Sequence, residues 1–289
     1  MSAHDVDAAT GTPTTGHEWD GIKELNTPLP RWWVWVFYAT VIWSLGYWIV
    51  YPALPLIGSF TTGLFGYSSR GQVAAEVRDL QAARSGMVAK LEAASLAEIE
   101  KDPTLFAFAT AQGRAAFGNN CAPYHGTGGG GAKGYPNLND NDWLWGGGLD
   151  AIHQTIAYGI RSGHPKTRES TMVAFGKDGV LKPDEIVTAA NYVRSLSGLP
   201  TRKGYDAAKG EKVFAENCVA CHGDGGKGNP ELGAPNLTDK IWLYGSDEAI
   251  LIETISNGRA GVMPAWEGRL DPATIKAMAV YVHSLGGGK

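Results

Sequence analysis

The amino-acid sequence predicts an all-α protein with one N-terminal membrane-spanning helix followed by two tandem helical domains. Three observations support this prediction. An uncharged run of twenty residues lies near the N-terminus, apolar residues recur at helical spacing after it, and the remainder of the 289-residue chain repeats with a period of about ninety residues. The net charge of −4 gives no reason to expect nucleic acid as a partner.

The apolar run is the first element in chain order. Residues 1–30 are polar, and we expect little autonomous structure in them. Residues 32–51 read WWVWVFYATVIWSLGYWIVY, long enough at 1.5 Å per residue to cross a hydrocarbon layer about 30 Å thick. Aromatic rings stand at both ends, where headgroups would lie. We assign residues 31–57 to the transmembrane segment, and a buried core helix or a cleaved signal peptide fits this pattern less well.

Charges beside the apolar run indicate its orientation. Lys23 and Arg31 precede the run and only Arg70 follows it closely, which favours a cytoplasmic N-terminus. Residues 58–103 are expected to form a linker of one or two helices, because apolar and charged residues alternate there at helical spacing. Met87, within this linker, is expected on a helix face rather than as a ligand.

The repeat divides the rest of the chain into residues 104–199 and 200–289. GRAAFGNNCAPYHG from Gly113 matches GEKVFAENCVACHG from Gly210, and PNLNDNDWLWG later matches PNLTDKIWLYG. Each copy runs through a helix, a cysteine–histidine motif, a glycine-rich loop, PNL, a helix, a methionine loop and a last helix. The sequence therefore predicts two homologous α-helical domains that join near Leu199.

The second copy contains the motif CVACH. Two thiols at the spacing of Cys218 and Cys221 add across the two vinyl groups of one haem, and the adjacent His222 reaches the iron. Zinc would need about four ligands, and a thioredoxin-type pair would lie beside a βαβ pattern; the sequence shows neither. A low-spin electron carrier needs a sixth ligand, and Met263 in the loop GVMPAWEG fits this role better than Met278 in an apolar helix.

The surroundings of His222 are also expected to matter. Its second ring nitrogen needs a partner, and the backbone carbonyl of the turn at Pro235 is the natural candidate. Asn236 and Trp242 either bond around the haem or serve only the structure of the loop.

The first copy departs from the motif at one position. Cys121 and His125 keep their spacing, but Tyr124 replaces the second cysteine, and a phenol does not add to a vinyl group. Three alternatives follow: a haem attached once, through Cys121; a domain without haem that survives as a spacer or docking module; or an error in the sequence. We favour bound haem, because Met172 keeps the loop position of Met263. The repeat order pairs each methionine with the histidine of its own copy, although an exchanged pairing is open.

HEWDGIKELNTPLPRWW, from His17 to Trp33, resembles the membrane entry of the di-haem cytochrome c subunit (CcoP, also called FixP, subunit III) of cbb3-type cytochrome c oxidases. The resemblance covers nearly the whole chain and implies a class I cytochrome c fold for each domain. It implies two haem c groups. The implied first-haem positions are Cys121, His125 and Met172, and the second-haem positions are Cys218, Cys221, His222 and Met263. The family expects cysteine at position 124, so the two-link attachment of the first haem is in doubt.

The resemblance also implies a function and partners. Electrons would pass from a donor cytochrome c or a quinol:cytochrome c reductase through both haems to the mono-haem subunit and then to the catalytic subunit that reduces dioxygen. No catalytic centre is expected on this chain. Haem is attached outside the cytoplasmic membrane, so both domains are expected in the bacterial periplasm. Two alternatives remain: a free-standing membrane-anchored di-haem carrier, and a di-haem peroxidase, which needs an iron with an open position.

Overall fold

The computed structural model describes residues 5–287, and the chain forms two units that divide at Ala83. The predicted all-α class is confirmed, with eleven α-helices and two small hairpins among the described residues. The helices of the second unit carry both copies of the repeat.

A hairpin in the N-terminal segment corrects the expectation of little structure there. Strands β1 (Thr14–Trp19) and β2 (Ile22–Leu25) pair antiparallel, with Trp19 opposite Ile22. The two residues between them, Asp20 and Gly21, both have positive φ (48° and 85°). Asp-Gly is a preferred sequence for such a two-residue turn, because both positions need left-handed backbone. This dipeptide was the signal that the compositional argument overlooked.

Helix α1 (Arg31–Val50) occupies the first twenty residues of the predicted segment 31–57 and ends before the last seven. Its mean hydropathy is 1.5, and it is long and apolar enough to cross a membrane. Pro30 precedes the helix, and the chain turns extended at Tyr51, before Pro52. A second hairpin, β3 (Pro55–Leu56) with β4 (Ser59–Phe60), follows.

The linker forms two helices, α2 (Ser69–Ala93) and α3 (Leu96–Lys101). A capping box at Ser95 and Glu98 starts α3, where the serine side chain accepts from the Glu98 amide and the glutamate accepts from the Ser95 amide. Leu91 and Ile99 are fully buried in an apolar cluster of the second unit. The part of the linker after Ala83 is therefore packed into that unit.

Eight helices carry the repeat. The first copy contains α4 (Pro103–Asn120), α5 (Ala122–His125), α6 (Leu149–Tyr158) and α7 (Pro183–Leu196), and the second contains α8 (Ala207–Asn217), α9 (Val219–His222), α10 (Glu248–Asn257) and α11 (Pro272–Ser284). The element order matches the predicted order in each copy. Asp102 and Asp206 cap α4 and α8 by accepting hydrogen bonds from first-turn amides.

The two copies exchange their last helices. Helix α11, from the second copy, packs against α4 and α6 of the first, and α7, from the first copy, packs against α8 and α10 of the second. One buried cluster accordingly joins Phe117 and Ile152 to Met278, and another joins Phe214 and Leu251 to Ile186. The helix packing therefore crosses between the segments 104–199 and 200–289 predicted from the repeat, within one compact unit.

Side chains at equivalent positions of the two copies explain why the last helix of each copy packs against helices of the other copy. Asn191 of α7 is fully buried, and its amide donates to a carboxylate oxygen of Glu248, the first residue of α10, at 2.7 Å. The equivalent residues of the other pair are apolar: Val280 of α11 is buried, and Leu149, the first residue of α6, packs against the cluster that contains it. Packing each helix in its own copy would set the Asn191 amide against Leu149 and the Glu248 carboxylate against Val280, and the hydrogen bond between the buried amide and the carboxylate would be lost.

Candidate functional site

Two groups of side chains, called here the first and second pockets, draw residues from both copies. The first pocket comprises Cys121 and His125 from the first copy, with Met263 packed against the same buried cluster as Cys121. The second pocket comprises the cysteines and His222 of the second copy, with Met172 packed against the cluster that Cys218 joins. Each cluster thus associates the motif of one copy with the methionine of the other.

The methionine placement corrects the pairing inferred from the repeat order. Met263 bonds through its backbone to Ile160 at the end of the first copy's α6, with N···O distances of 2.9 and 3.0 Å. The Met172 amide donates to the carbonyl of Arg259, just after α10. Met263 was expected near His222 and Met172 near His125, and the structure places each in the other pocket. Met278 is fully buried in α11, as expected for a core residue.

Each histidine is oriented by a backbone carbonyl. Nδ1 of His125 lies 2.9 Å from the carbonyl oxygen of Pro136, and Nδ1 of His222 lies 3.1 Å from that of Pro235. A carbonyl only accepts, so Nδ1 carries the proton in both rings and Nε2 keeps its lone pair. Burial lowers the pKa of both imidazoles, despite the opposing effect of the carbonyl bond. Both rings are therefore neutral near pH 7 and suited to ligate a metal through Nε2.

Two glycines allow the Pro136 and Pro235 carbonyls to lie close to the histidine rings. The Gly131 amide donates to the His125 carbonyl at 2.8 Å, and the Gly228 amide donates to that of His222 at 2.7 Å. A Cβ on Gly228 would lie 2.7 Å from the Asn236 amide nitrogen, and one on Gly131 would lie 2.6 Å from the Asn137 nitrogen. Both glycines also have positive φ, so a side chain at either position would push the proline turn away from the histidine.

The cysteines differ in exposure. Cys121 is buried, Cys218 is half-buried and Cys221 is exposed, and none is in a disulfide. Burial raises the pKa of the Cys121 thiol to about 11, and burial, with a smaller effect of Cys221, raises that of Cys218 to about 11. These two thiols are protonated at neutral pH, so they are not poised as thiolate nucleophiles for redox exchange.

Tyr124 lies at the surface and not in the first pocket. Its side chain is 51% exposed, and its ring centroid lies 5.5 Å from that of Tyr135. The equivalent residue, Cys221, is also exposed. The tyrosine therefore replaces a thiol at an exposed position of the motif.

The PNL loops support the pockets in two ways. Asn236 accepts through its side-chain oxygen from the amide and hydroxyl of Thr238, which makes it a loop-stabilising residue. The indole N–H of Trp242 is buried without a hydrogen-bond partner in the described structure, whereas that of Trp143 in the first copy donates to the Asp140 carbonyl at 2.8 Å. A buried unpaired donor in the second pocket is a position that an acceptor on a bound group would satisfy.

The donor set fits a haem iron. One neutral imidazole nitrogen and one thioether sulfur per pocket form the His/Met pair of cytochromes c. Zinc would require more side-chain ligands than either pocket offers. The second pocket adds two thiols for covalent attachment, and the first adds one.

Two features of the site were not predicted. Arg161 contacts the backbone before both methionines, and the only sequence signal for it was its place beside the insertion HPKTREST, which the second copy lacks. Within that insertion His164 pairs with Glu267 at 3.0 Å and stacks on Tyr158. The insertion thus packs beside the loop that follows Met263.

Comparison with known families agrees with this architecture. A family described as the N-terminal domain of cytochrome oxidase-cbb3, FixP, matches residues 11–58. A family described as cytochrome c oxidase, cbb3-type, subunit III, matches twice, over residues 108–193 and 205–282. The two matches fall one on each copy of the repeat, and the two cytochrome c domains imply haem c.

Relatives match over nearly the full length. The chain is 76% identical over 290 residues to the cbb3-type cytochrome c oxidase subunit FixP of Bradyrhizobium diazoefficiens, with all of both chains covered. It is 57% identical to subunit FixP of Azorhizobium caulinodans, over 98% of this chain and 96% of the relative. It is 48% identical to subunit CcoP of Cereibacter sphaeroides, over 96% of each. The paired pockets, the single apolar helix and these full-length matches together show that the chain belongs to the FixP/CcoP family, the electron-transfer subunits of cbb3-type cytochrome c oxidases.

Proposed function

We propose that each pocket holds one haem c between ligands contributed by both copies of the repeat. His125 and Met263 would be the axial ligands in the first pocket, and His222 and Met172 those in the second. When bound, each haem supplies an iron centre that accepts and releases one electron. Two observations carry this proposal: each motif histidine is oriented by a backbone carbonyl, and the first cysteine of each motif shares an apolar cluster with the methionine of the other copy.

The attachment of the two haems would differ. In the second pocket Cys218 and Cys221 would each form a thioether with one vinyl group. In the first, Cys121 would form the only link, because Tyr124 has no thiol and is exposed. Retention there would rest on Cys121, the two axial ligands and the buried cluster around Phe117.

The protein side chains would give the two haem irons similar midpoint potentials. Buried apolar side chains exclude water, and a neutral imidazole with a thioether favours reduced over oxidised iron relative to two imidazoles. The Pro136 and Pro235 carbonyls fix the histidine rings so that little rearrangement accompanies a change of charge.

The location follows from the chemistry of attachment and from the apolar helix. We place both pockets in the bacterial periplasm and the residues before α1 in the cytoplasm, with the chain anchored in the inner membrane. Lys23 before α1 and Arg31 at its first position, against Arg70 after it, support this orientation. Electrons would come from a donor cytochrome c or a quinol:cytochrome c reductase and leave to the mono-haem and catalytic subunits of the oxidase.

The test is to purify the full-length chain in mild detergent and count its haems by pyridine haemochrome. We expect two per polypeptide, with one α-band displaced because one vinyl group stays unsaturated. The reduced chain should not bind carbon monoxide, since both irons are six-coordinate; binding would favour a peroxidase-type open site. One haem per chain would contradict the proposal for the first pocket.

A further inference from the structure

Two segments carry the chain from one pocket to the other. Residues 159–171 lead from the end of α6, in the first pocket, to Met172 in the second, and residues 258–262 lead from the end of α10 back to Met263. The two segments meet in short backbone pairings, Ile160 with Met263 and Met172 with Arg259. We call them the crossing segments.

The side chain of Arg161 joins both crossing segments. Its Nε donates to the carbonyl of Gly261 at 2.6 Å, and its Nη1 donates to the carbonyl of Ser170. Ser170 lies two residues before Met172, and Gly261 lies two residues before Met263. One planar guanidinium therefore holds the approach to both methionines at equivalent positions, which its fixed fork of donors allows.

Arg161 has a strained backbone conformation, and its hydrogen bonds stabilise that conformation. Its φ is +51°, in the left-handed region that side-chain-bearing residues seldom adopt, and its amide donates to the carbonyl of Arg168 at 2.7 Å. Such conformations persist where the surrounding structure determines them, and they concentrate at functional positions. In the second copy the position two residues after the helix-ending glycine is Ala260, so Arg161 has no twin.

The other arginines of the crossing segments behave differently. Nε of Arg168 donates to the Thr155 hydroxyl at 3.2 Å, and Nε of Arg259 donates to the Thr254 hydroxyl at 3.0 Å. Each of these arginines thus binds the helix just before its own segment. Only Arg161, among the three, reaches both methionine loops.

We propose that Arg161 is a positioning residue that sets both methionine ligands at once and thereby helps to set the redox potentials of both haems. The inference rests on the proposed function, because it takes Met172 and Met263 as axial ligands. Without the guanidinium the Ser170 and Gly261 carbonyls lose their shared donor, and both loops are free to move away from the iron. A weaker thioether bond favours oxidised iron, so both midpoint potentials should fall.

The experiment is a spectroelectrochemical titration of the full-length chain in detergent, with Arg161→Gln and Arg161→Lys. Chains carrying Met172→His and Met263→His first assign the two redox waves, since each should move one wave. For Arg161→Gln we expect the redox equilibrium constant of each haem to change at least tenfold. For a one-electron couple a tenfold change is a midpoint shift of about 59 mV. The red absorption band that marks iron–methionine bonding should weaken at both sites, with two haems still bound.

The lysine variant and a matched arginine complete the design. Arg161→Lys keeps the charge but loses the fork, so it should shift both waves by less, and it serves as the test if the glutamine variant does not accumulate. Arg202→Gln is the control, because Arg202 pairs with Glu248 at 2.9 Å, on the second pocket's helix α10 rather than on either methionine loop, and both waves should stay in place.

Three results would overturn the positioning role of Arg161. In the Arg161 variants these are a shift of one wave alone and a shift of neither wave. The third is a shift of both waves in Arg202→Gln equal to that in the Arg161 variants. If neither methionine variant moves any wave, the ligand assignment itself is wrong, and the inference falls with it.

Discussion

Gly113 offers the sharpest stability test of the exchanged packing. It lies buried in α4, and a Cβ built there would be 2.1 Å from the carbonyl oxygen of Ala277 and 2.7 Å from Cβ of Tyr281, both on α11 of the second copy. Carbon atoms in contact normally lie about 3.5–4.0 Å apart. Gly113→Ala therefore forces α4 and α11 apart by about an ångström or more, because the nearest obstacle is backbone that cannot rotate away.

The size of the effect follows from two opposing terms. Alanine in a helix interior is favoured over glycine by about 1 kcal/mol, whereas overpacking a close contact costs about 1–3 kcal/mol and sometimes more. Because the nearest obstacle is backbone, we take the upper end of that cost, about 3 kcal/mol, and expect a net loss of about 2 kcal/mol in the free energy of unfolding. For a unit of this size each kcal/mol lowers the melting temperature by about 2–4 °C, so the drop should be about 4–8 °C.

Alanine substitutions at two further glycines should change stability by different amounts, so the three variants can be ranked. Gly118, in the same helix, has open space around its Cβ position, so Gly118→Ala should leave stability unchanged or raise it by up to about 1 kcal/mol. Gly210 in α8 would place a Cβ 2.9 Å from that of Tyr192, a smaller overlap, and should give an intermediate loss. Thermal unfolding of the detergent-purified chains, followed by circular dichroism, gives the order. If Gly113→Ala melts as high as Gly118→Ala, the close crossing of α4 and α11 is wrong.

Further predictions concern haem attachment and pH. Cys121→Ser should release the first haem to acid-acetone extraction, and Tyr124→Cys should give both haems the α-band of a twice-linked haem; an extraction pattern equal to wild type in Cys121→Ser would exclude the single link. Burial, with smaller effects of Asp239 and Asp140, raises the pKa of Asp142 to about 6. The neutral form therefore stabilises the fold at low pH, and this contribution is lost as the pH rises through about 6. Asp142→Asn should raise the melting temperature more at pH 8 than at pH 5, and an equal change at both pH values would contradict this.

Much of the site was predictable because covalent chemistry leaves a strict spacing in the sequence. Cys218, Cys221 and His222 indicate haem on their own, and the repeat extends that assignment to Cys121 and His125. The carbonyl partner of His222 was also expected at Pro235, and it is found there. These features are local, so a short stretch of sequence determines them.

The exchange of helices was not predictable from the motifs, because the copies are alike. The last helices read YVRSLSG and YVHSLGG, and either presents a similar apolar face to the glycine-bearing helix of a pocket. What distinguishes them is a pair of distant positions, Asn191 with Glu248 against Val280 with Leu149. The difference becomes apparent in the sequence only when the first residue of α6 or α10 is compared with an interior residue of the other copy's last helix.

The most direct test of the crossed pockets uses the two haems' own spectra. In the proposed arrangement one haem keeps an unsaturated vinyl group and the other does not, so their α-bands would identify them during a redox titration of Met172→His and Met263→His. We expect Met172→His to lower the potential of the twice-linked haem and Met263→His that of the once-linked haem, because histidine replaces a thioether that favours reduced iron. If Met263→His instead lowers the potential of the twice-linked haem, each methionine serves its own copy and the crossed arrangement is wrong.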